Sequence, residues 1–368
     1  MTHKMNHYLR HGALALCAAT ASGYGHAQTN VQVYARLNVS AERVNTSATA
    51  DGDRLNLTRI SNNRSVLGFR GSEDLGGGVS AVFQIEGTLS LDTGAGELAR
   101  RDTRVGLDGG FGTVFLGHWV TAYNGATSGL DPFYPTTAGY MSIIGNGAAA
   151  AVDNVSNLYS FDRRQANSLH YWSRPYKGLG LRVTHGVAEE RPVGGAKPSL
   201  TSVAAIYDEG PWYATLAYER HHAYQGVGLD DSGAKLAVAR RFGATRVALL
   251  AERLAYQTAA GDLSRTAFYV SVSHQMGPHG VRLGVARAGD GKGASGNRVG
   301  FARGGADTGA THVTLGYDYA LSKRTSVYAY VTHLDNEANA AYDFAINSLD
   351  AAPGATLRGA ALGLRHAF

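Results

Sequence analysis

What the sequence lacks narrows it first. Of 368 residues only Cys17 is a cysteine, and it lies among the first 27, so the chain beyond can form no disulfide and carry no cysteine nucleophile. No apolar run past residue 27 approaches the roughly 20 residues of a membrane-spanning helix, which excludes a helical membrane protein. Proline numbers only 8, and no Pro-rich, Ser-rich or like-charge stretch divides the chain, so one domain is expected over residues 28–368. The formal charge of +5 is too small and too dispersed for a nucleic-acid-binding face. A His-Glu-x-x-His metal pair, a Gly-x-Ser-x-Gly elbow and a phosphate loop are all missing. His221 and His222 are neighbours that point to opposite faces of a strand, and Ser168 and His170 merely share a face. We therefore expect no enzyme, no metal and no cofactor.

Lysine is scarce too, and here attention turns to what is present. The 34 basic residues comprise 28 Arg and 6 Lys, and arginine carries a permanent planar charge suited to fixed anion contacts. The 48 glycines follow no Gly-X-Y period and demand many turns. The start, MTHKMNHYLRHGALALCAATASGYGHAQ, has basic Lys4 and Arg10, a short apolar run and a small-residue ending. It reads as a secretory signal over residues 1–27, removed after Ala27; Leu16 before Cys17 is too large for a good lipoprotein processing site.

The stretch GFRGSEDLGGGVSAVFQIEG, residues 68–87, is a β-hairpin: Gly76, Gly77 and Gly78 suit positive φ, and Glu73 and Asp74 suit a turn. Around it a period of two recurs. Val31, Val33, Ala35, Leu37 and Val39 alternate with Gln32, Tyr34, Arg36, Asn38 and Ser40, and the pattern returns through to Leu362, Leu364 and Phe368. Seven short connectors (73–78, 109–112, 175–178, 208–211, 242–244, 277–280 and 321–324) alternate with long Gly-rich ones such as 121–160, 289–309 and 335–354. Seven hairpins plus a first and a last strand predict 16 strands in an all-β, antiparallel transmembrane barrel whose loops are long on one side only.

The motifs SVLGFRGSEDLGGGVSAVFQIEG, RVGLDGGFGTVFLGHW, RRQANSLHYWSRPYKGLGL, GYDYALSKRTSVYAYV and LGLRHAF resemble, in order, those of the Gram-negative general porins, particularly the β-proteobacterial branch. The resemblance implies an outer-membrane homotrimer exported through the periplasm, with the third loop folded inward to narrow a water-filled pore. Small hydrophilic solutes and ions would diffuse through it. It also implies contact with outer-membrane lipids and lipopolysaccharide, and a terminal Phe368 read by the barrel-assembly machinery. A barrel serving as adhesin or receptor through its long loops, or one specific for a single solute, is the alternative.

Strand parity nominates the wall of such a pore. Arg36, Arg64, Arg70, Arg104, Arg182 and Arg282 sit among apolar neighbours that would face lipid, where an arginine costs roughly 2–4 kcal/mol at midplane, so the lumen is their side. Asp131 and Asp153 are the only acids of loop 121–160 and are expected to oppose that wall, with Glu86 coating the lumen or pairing with arginine. Arg100 and Arg101 are expected at the rim. If the arginines prevail at the narrowest point, the pore prefers anions mildly.

Overall fold

The computed structural model describes residues 30–192 and 194–368, so the expected signal segment lies outside the described residues. The barrel opens with β1 (Asn30–Thr46), β2 (Leu55–Asn62, resumed as Val66–Asp74), β3 (Ser80–Leu89), β4 (Thr103–Gly109) and β5 (Gly112–Val120). It continues through β6 (Asp162–Trp172), β7 (Leu179–Gly186), β8 (Ser199–Glu209), β9 (Trp212–His222), β10 (Asp230–Phe242) and β11 (Thr245–Thr258). The last are β12 (Gly261–Met276), β13 (His279–Ala288), β14 (Ala310–Ala320), β15 (Thr325–Asn336) and β16 (Thr356–Ala367). Each pairs antiparallel with the next, and β16 returns to β1 in the register Arg36↔Ala367 to Thr46↔Leu357. This closes 16 strands and leaves no unpaired edge, the condition for a sheet in lipid.

Alternation explains why these segments are strands. Leu216 is 62% exposed on the outer wall while Ala217, the next residue, is 1% exposed inside. Outward Val105, Leu107, Leu249, Phe268 and Leu315 are exposed in the same way and make the lipid-facing surface.

Seven connections at one end are short, as the glycines predict; Gly76, Gly77 and Gly78 all take positive φ. The opposite end departs from expectation at its sixth connection. Thr258 pairs directly with Gly261, so Ala259 and Ala260 form a two-residue turn where a long loop was expected. The Thr258 hydroxyl accepts from the amide of Ala260 and donates to the carbonyl of Gly261, which closes the turn tightly.

One irregularity matters for the lumen. Val39 faces Asn62 and Arg36 faces Val66, so residues 63–65 oppose only residues 37 and 38 of β1. The bulge places Arg64 at φ 56, and Ser65 replaces the lost ladder by hydrogen-bonding both amide and carbonyl of Asn38.

Two glycines are required by aromatic rings laid across the inner wall. A Cβ on Gly68 would lie 2.3 Å from Tyr34, and one on Gly363 would lie 2.2 Å from Tyr328. The Tyr328 hydroxyl is fixed between Asn38 and Asn63 and cannot swing away. Gly363→Ala should therefore destabilise the barrel by about 1–3 kcal/mol, the usual penalty of overpacking. Heat-modifiability on electrophoresis should show a lower unfolding midpoint, and an unchanged midpoint would show that the ring can yield.

Candidate functional site

The connection between β5 and β6, residues 121–161, enters the lumen as expected, and two buried carboxylates hold it there. Glu42 of β1 accepts from Tyr330 at 2.7 Å, Ser61 at 2.9 Å and Arg59 at 2.9 Å, and also from the hydroxyl of Thr137 in the loop. Glu252 of β11 accepts from the loop's Tyr123 hydroxyl at 3.0 Å and Gly145 amide at 2.9 Å, beside Arg265 and Lys235 at 3.3 and 3.6 Å. Ser271 adds a hydrogen bond to the Leu130 carbonyl at 2.7 Å. The loop thus lies against the far wall, and the space left faces β2 to β6.

That space is a cavity of about 550 Å³. Asn124, Ser128 and Tyr134 of the loop line one side and Arg64, Arg101 and Arg164 the other. The bulge aims the Arg64 guanidinium over the rings of Tyr134 and Tyr140, at 4.9 and 4.6 Å from their centroids. Arg36 donates to the Arg64 carbonyl at 3.0 Å and so sits directly behind it. Arg101 pairs with Glu86 at 2.8 Å and Arg164 with Asp102 at 2.6 Å. Among the described residues, Arg36 and Arg64 have no carboxylate at ion-pair distance.

The other parity-derived arginines face inward at different heights. Arg104 is enclosed by Phe115, Trp119 and Trp172, at 4.7, 4.5 and 5.0 Å, and Arg182 lies over Trp172 at 4.8 Å. Arg70 is exposed near the short-turn end, over Tyr34 and bonded to Gln32. Arg282 lies beneath the loop, paired with Asp318 and donating to the Pro132 carbonyl.

The two loop acids do something different from what was expected of them. Asp131 accepts from the amides of Phe133 and Met141 and from Tyr269, fastening the loop to the wall. Asp153 caps the local turn through the amides of Val155 and Ser156. Neither lines the cavity. Glu86 pairs with Arg101 and also accepts from Tyr34, one of the two roles expected for it. Arg100 stays at the rim with Glu97, whereas Arg101 turns inward, contrary to its expected place. Arg164 and Tyr134 were missed altogether, as was Asp162, a carboxylate that lines the same cavity; the Arg163–Arg164 doublet was the available signal for the first.

Ser168 and His170 do meet, Oγ to Nε2 at 2.9 Å, but inside the wall. Thr184 occupies the other ring nitrogen at 3.0 Å and Phe115 stacks on the ring at 4.6 Å, with His170 fully buried. Among the described residues no carboxylate hydrogen-bonds to the pair, and it serves as a brace.

A closed, lipid-faced barrel with a charged lumen narrowed by its own third loop is a transmembrane channel of the outer-membrane type. The family model for Gram-negative porins matches residues 13–339, and the chain belongs to that family. It is 26% identical over 98% of its length to the whole of outer membrane porin protein 32 of Delftia acidovorans. A solved anion-selective porin from Comamonas acidovorans superposes with a TM-score of 0.76 at 24% identity, covering 93% of this chain and 100% of that one. The trimer form of OmpT, an outer membrane protein of Vibrio cholerae, gives 0.63 at 16% identity, over 92% of this chain and 99% of that one. The protein is an outer-membrane porin, a water-filled channel for small hydrophilic solutes.

Proposed function

We propose that this porin passes small anions in preference to cations and that the choice is made between loop three and the Arg36–Arg64 wall. The carrying observation is that, among the described residues, these two guanidiniums have no carboxylate at ion-pair distance, while Arg101 and Arg164 are paired with Glu86 and Asp102. The fold likeness to a porin described as anion-selective supports the same sign. Reversal potential under a salt gradient in planar bilayers tests it: an anion-favouring potential is expected, and a cation-favouring one would overturn it.

Tyr134 gives the selectivity a pH dependence. Burial pushes its phenol up, but the fields of Arg64, Arg164, Arg101 and Arg36 outweigh burial and bring the pKa down to about 7. Below that value the tyrosine is neutral and the arginine charge acts in full; above it the phenolate cancels one positive charge. Anion preference should therefore fall as pH rises through about 7. In Tyr134→Phe the reversal potential should keep its low-pH value, and an unaltered pH profile in that variant would refute the assignment.

The remaining roles are of the same kind. We assign no enzymatic activity, and we expect a trimer in the outer membrane, in contact with its lipids and lipopolysaccharide. Phe368 is offered as the assembly signal: its backbone is paired with Ala35 in both directions, while its ring is 51% exposed.

A further inference from the structure

We propose a second anion site on the short-turn side of loop three, distinct from the passage at Arg64, that takes phosphate or a phosphate monoester. It rests on the reading that anions traverse the pore. A cavity of about 350 Å³ lies beneath the loop, roofed by Gly129, Leu130 and Pro132. Its walls carry Arg246, Arg282 and Arg365 together with the serines 271, 273 and 326, from strand ends next to the short turns. It continues into a neighbouring space that adds Arg241 and shares Arg246 and Arg282.

The charge here is lopsided. Four arginines face a single carboxylate, Asp318, which pairs with Arg282. Loop carbonyls hold two of the guanidiniums in place: Arg246 donates to Gly129 at 3.0 Å and Arg282 to Pro132. The Arg365 guanidinium makes no hydrogen bond to the protein among the described residues, and neither do the hydroxyls of Ser273 and Ser326. Forked guanidinium donors beside free hydroxyls match a tetrahedral oxyanion, which can accept from several directions at once. A halide offers no such geometry, so the site selects by shape as well as by sign. Lying past the loop from the Arg64 passage, it would hold an oxyanion that has crossed the narrowing, and the pore would take phosphate with sidedness.

Sodium phosphate added to one side at a time of single channels conducting chloride tests this. Block from the short-turn side should saturate at lower phosphate than block from the loop side. Arg365→Gln should raise the half-blocking concentration on the short-turn side about tenfold, as expected for losing one charge-assisted hydrogen bond, and leave the loop side unchanged. Ser326→Ala should move it in the same direction by less. Heat-modifiability on electrophoresis equal to that of the unaltered protein certifies that the barrel is intact in both variants. Equal block from both sides that ignores both substitutions, in a channel that still favours anions, would overturn the second site alone. A cation-favouring reversal potential in the unaltered channel would remove the anion reading beneath it.

Discussion

Replacing Arg36 and Arg64 together by glutamine should abolish anion preference, and Arg64→Glu, which changes the charge by the same two units, should shift it by a comparable amount. The two guanidiniums are adjacent, linked through the Arg64 carbonyl, and they face a loop whose acids are engaged elsewhere. A unit charge about 6 Å from a permeating ion in water contributes about 0.7 kcal/mol, favourable to an anion and unfavourable to a cation. The permeability ratio should therefore change about tenfold for each charge removed, and less in concentrated salt, where screening is stronger. Arg104→Gln is the informative control. Its guanidinium is enclosed by three aromatic rings, so its loss should alter selectivity much less than loss of Arg64. Reversal potentials of the three variants at one salt gradient decide the matter, and equal shifts for Arg64 and Arg104 would mean that the whole wall acts as one diffuse field.

The ease of reading this barrel from sequence differed from part to part, for physical reasons. Strand number was legible because lipid on one side and a polar lumen on the other force a period of two, visible at Leu216 and Ala217 as at Leu362 and Gly363. The inward face of five of the six nominated arginines follows from the same rule; the sixth, Arg64, stands in the bulge between Asn62 and Val66, outside the period. Height does not, because parity cannot distinguish Arg70 near the short turns from Arg64 at the narrowing. The bulge that aims Arg64 rests on Asn38 and Ser65, whose contact spans 27 residues and leaves no local mark. Asp131 was misplaced for a related reason: an acid in a glycine-rich loop looks solvated, and its partner Tyr269 lies 138 residues away. The short sixth connection escaped because Ala259 and Ala260 carry none of the glycine or asparagine that usually announces a tight turn.

Glu252→Ala should release loop three, and the channel should widen as it loses its fixed conductance. Glu252 has no exposed side-chain surface and serves four partners: the Tyr123 hydroxyl, the Gly145 amide, Arg265 and Lys235. Removing it leaves two cations buried without an anion, a loss of about 3–5 kcal/mol when one partner of a buried pair is deleted. The strand ladder does not pass through this side chain, so the loop, held by side chains, should yield before the barrel. Glu252→Gln retains hydrogen-bonding capacity but not the charge and should fall between the two. Single-channel records are expected to show larger, noisier openings for the alanine variant, with weaker anion preference, since Tyr134 would no longer hold its place opposite Arg64. Glu42→Ala should act in the same direction, because it frees Thr137 and Tyr330 at the loop's other attachment. The two anchors lie on opposite sides of the loop, and removing both should exceed either alone. Unchanged conductance in Glu252→Ala would instead place the hold on the loop with Asp131 and Ser271, whose contacts to Tyr269 and Leu130 lie nearer the short-turn end of the wall.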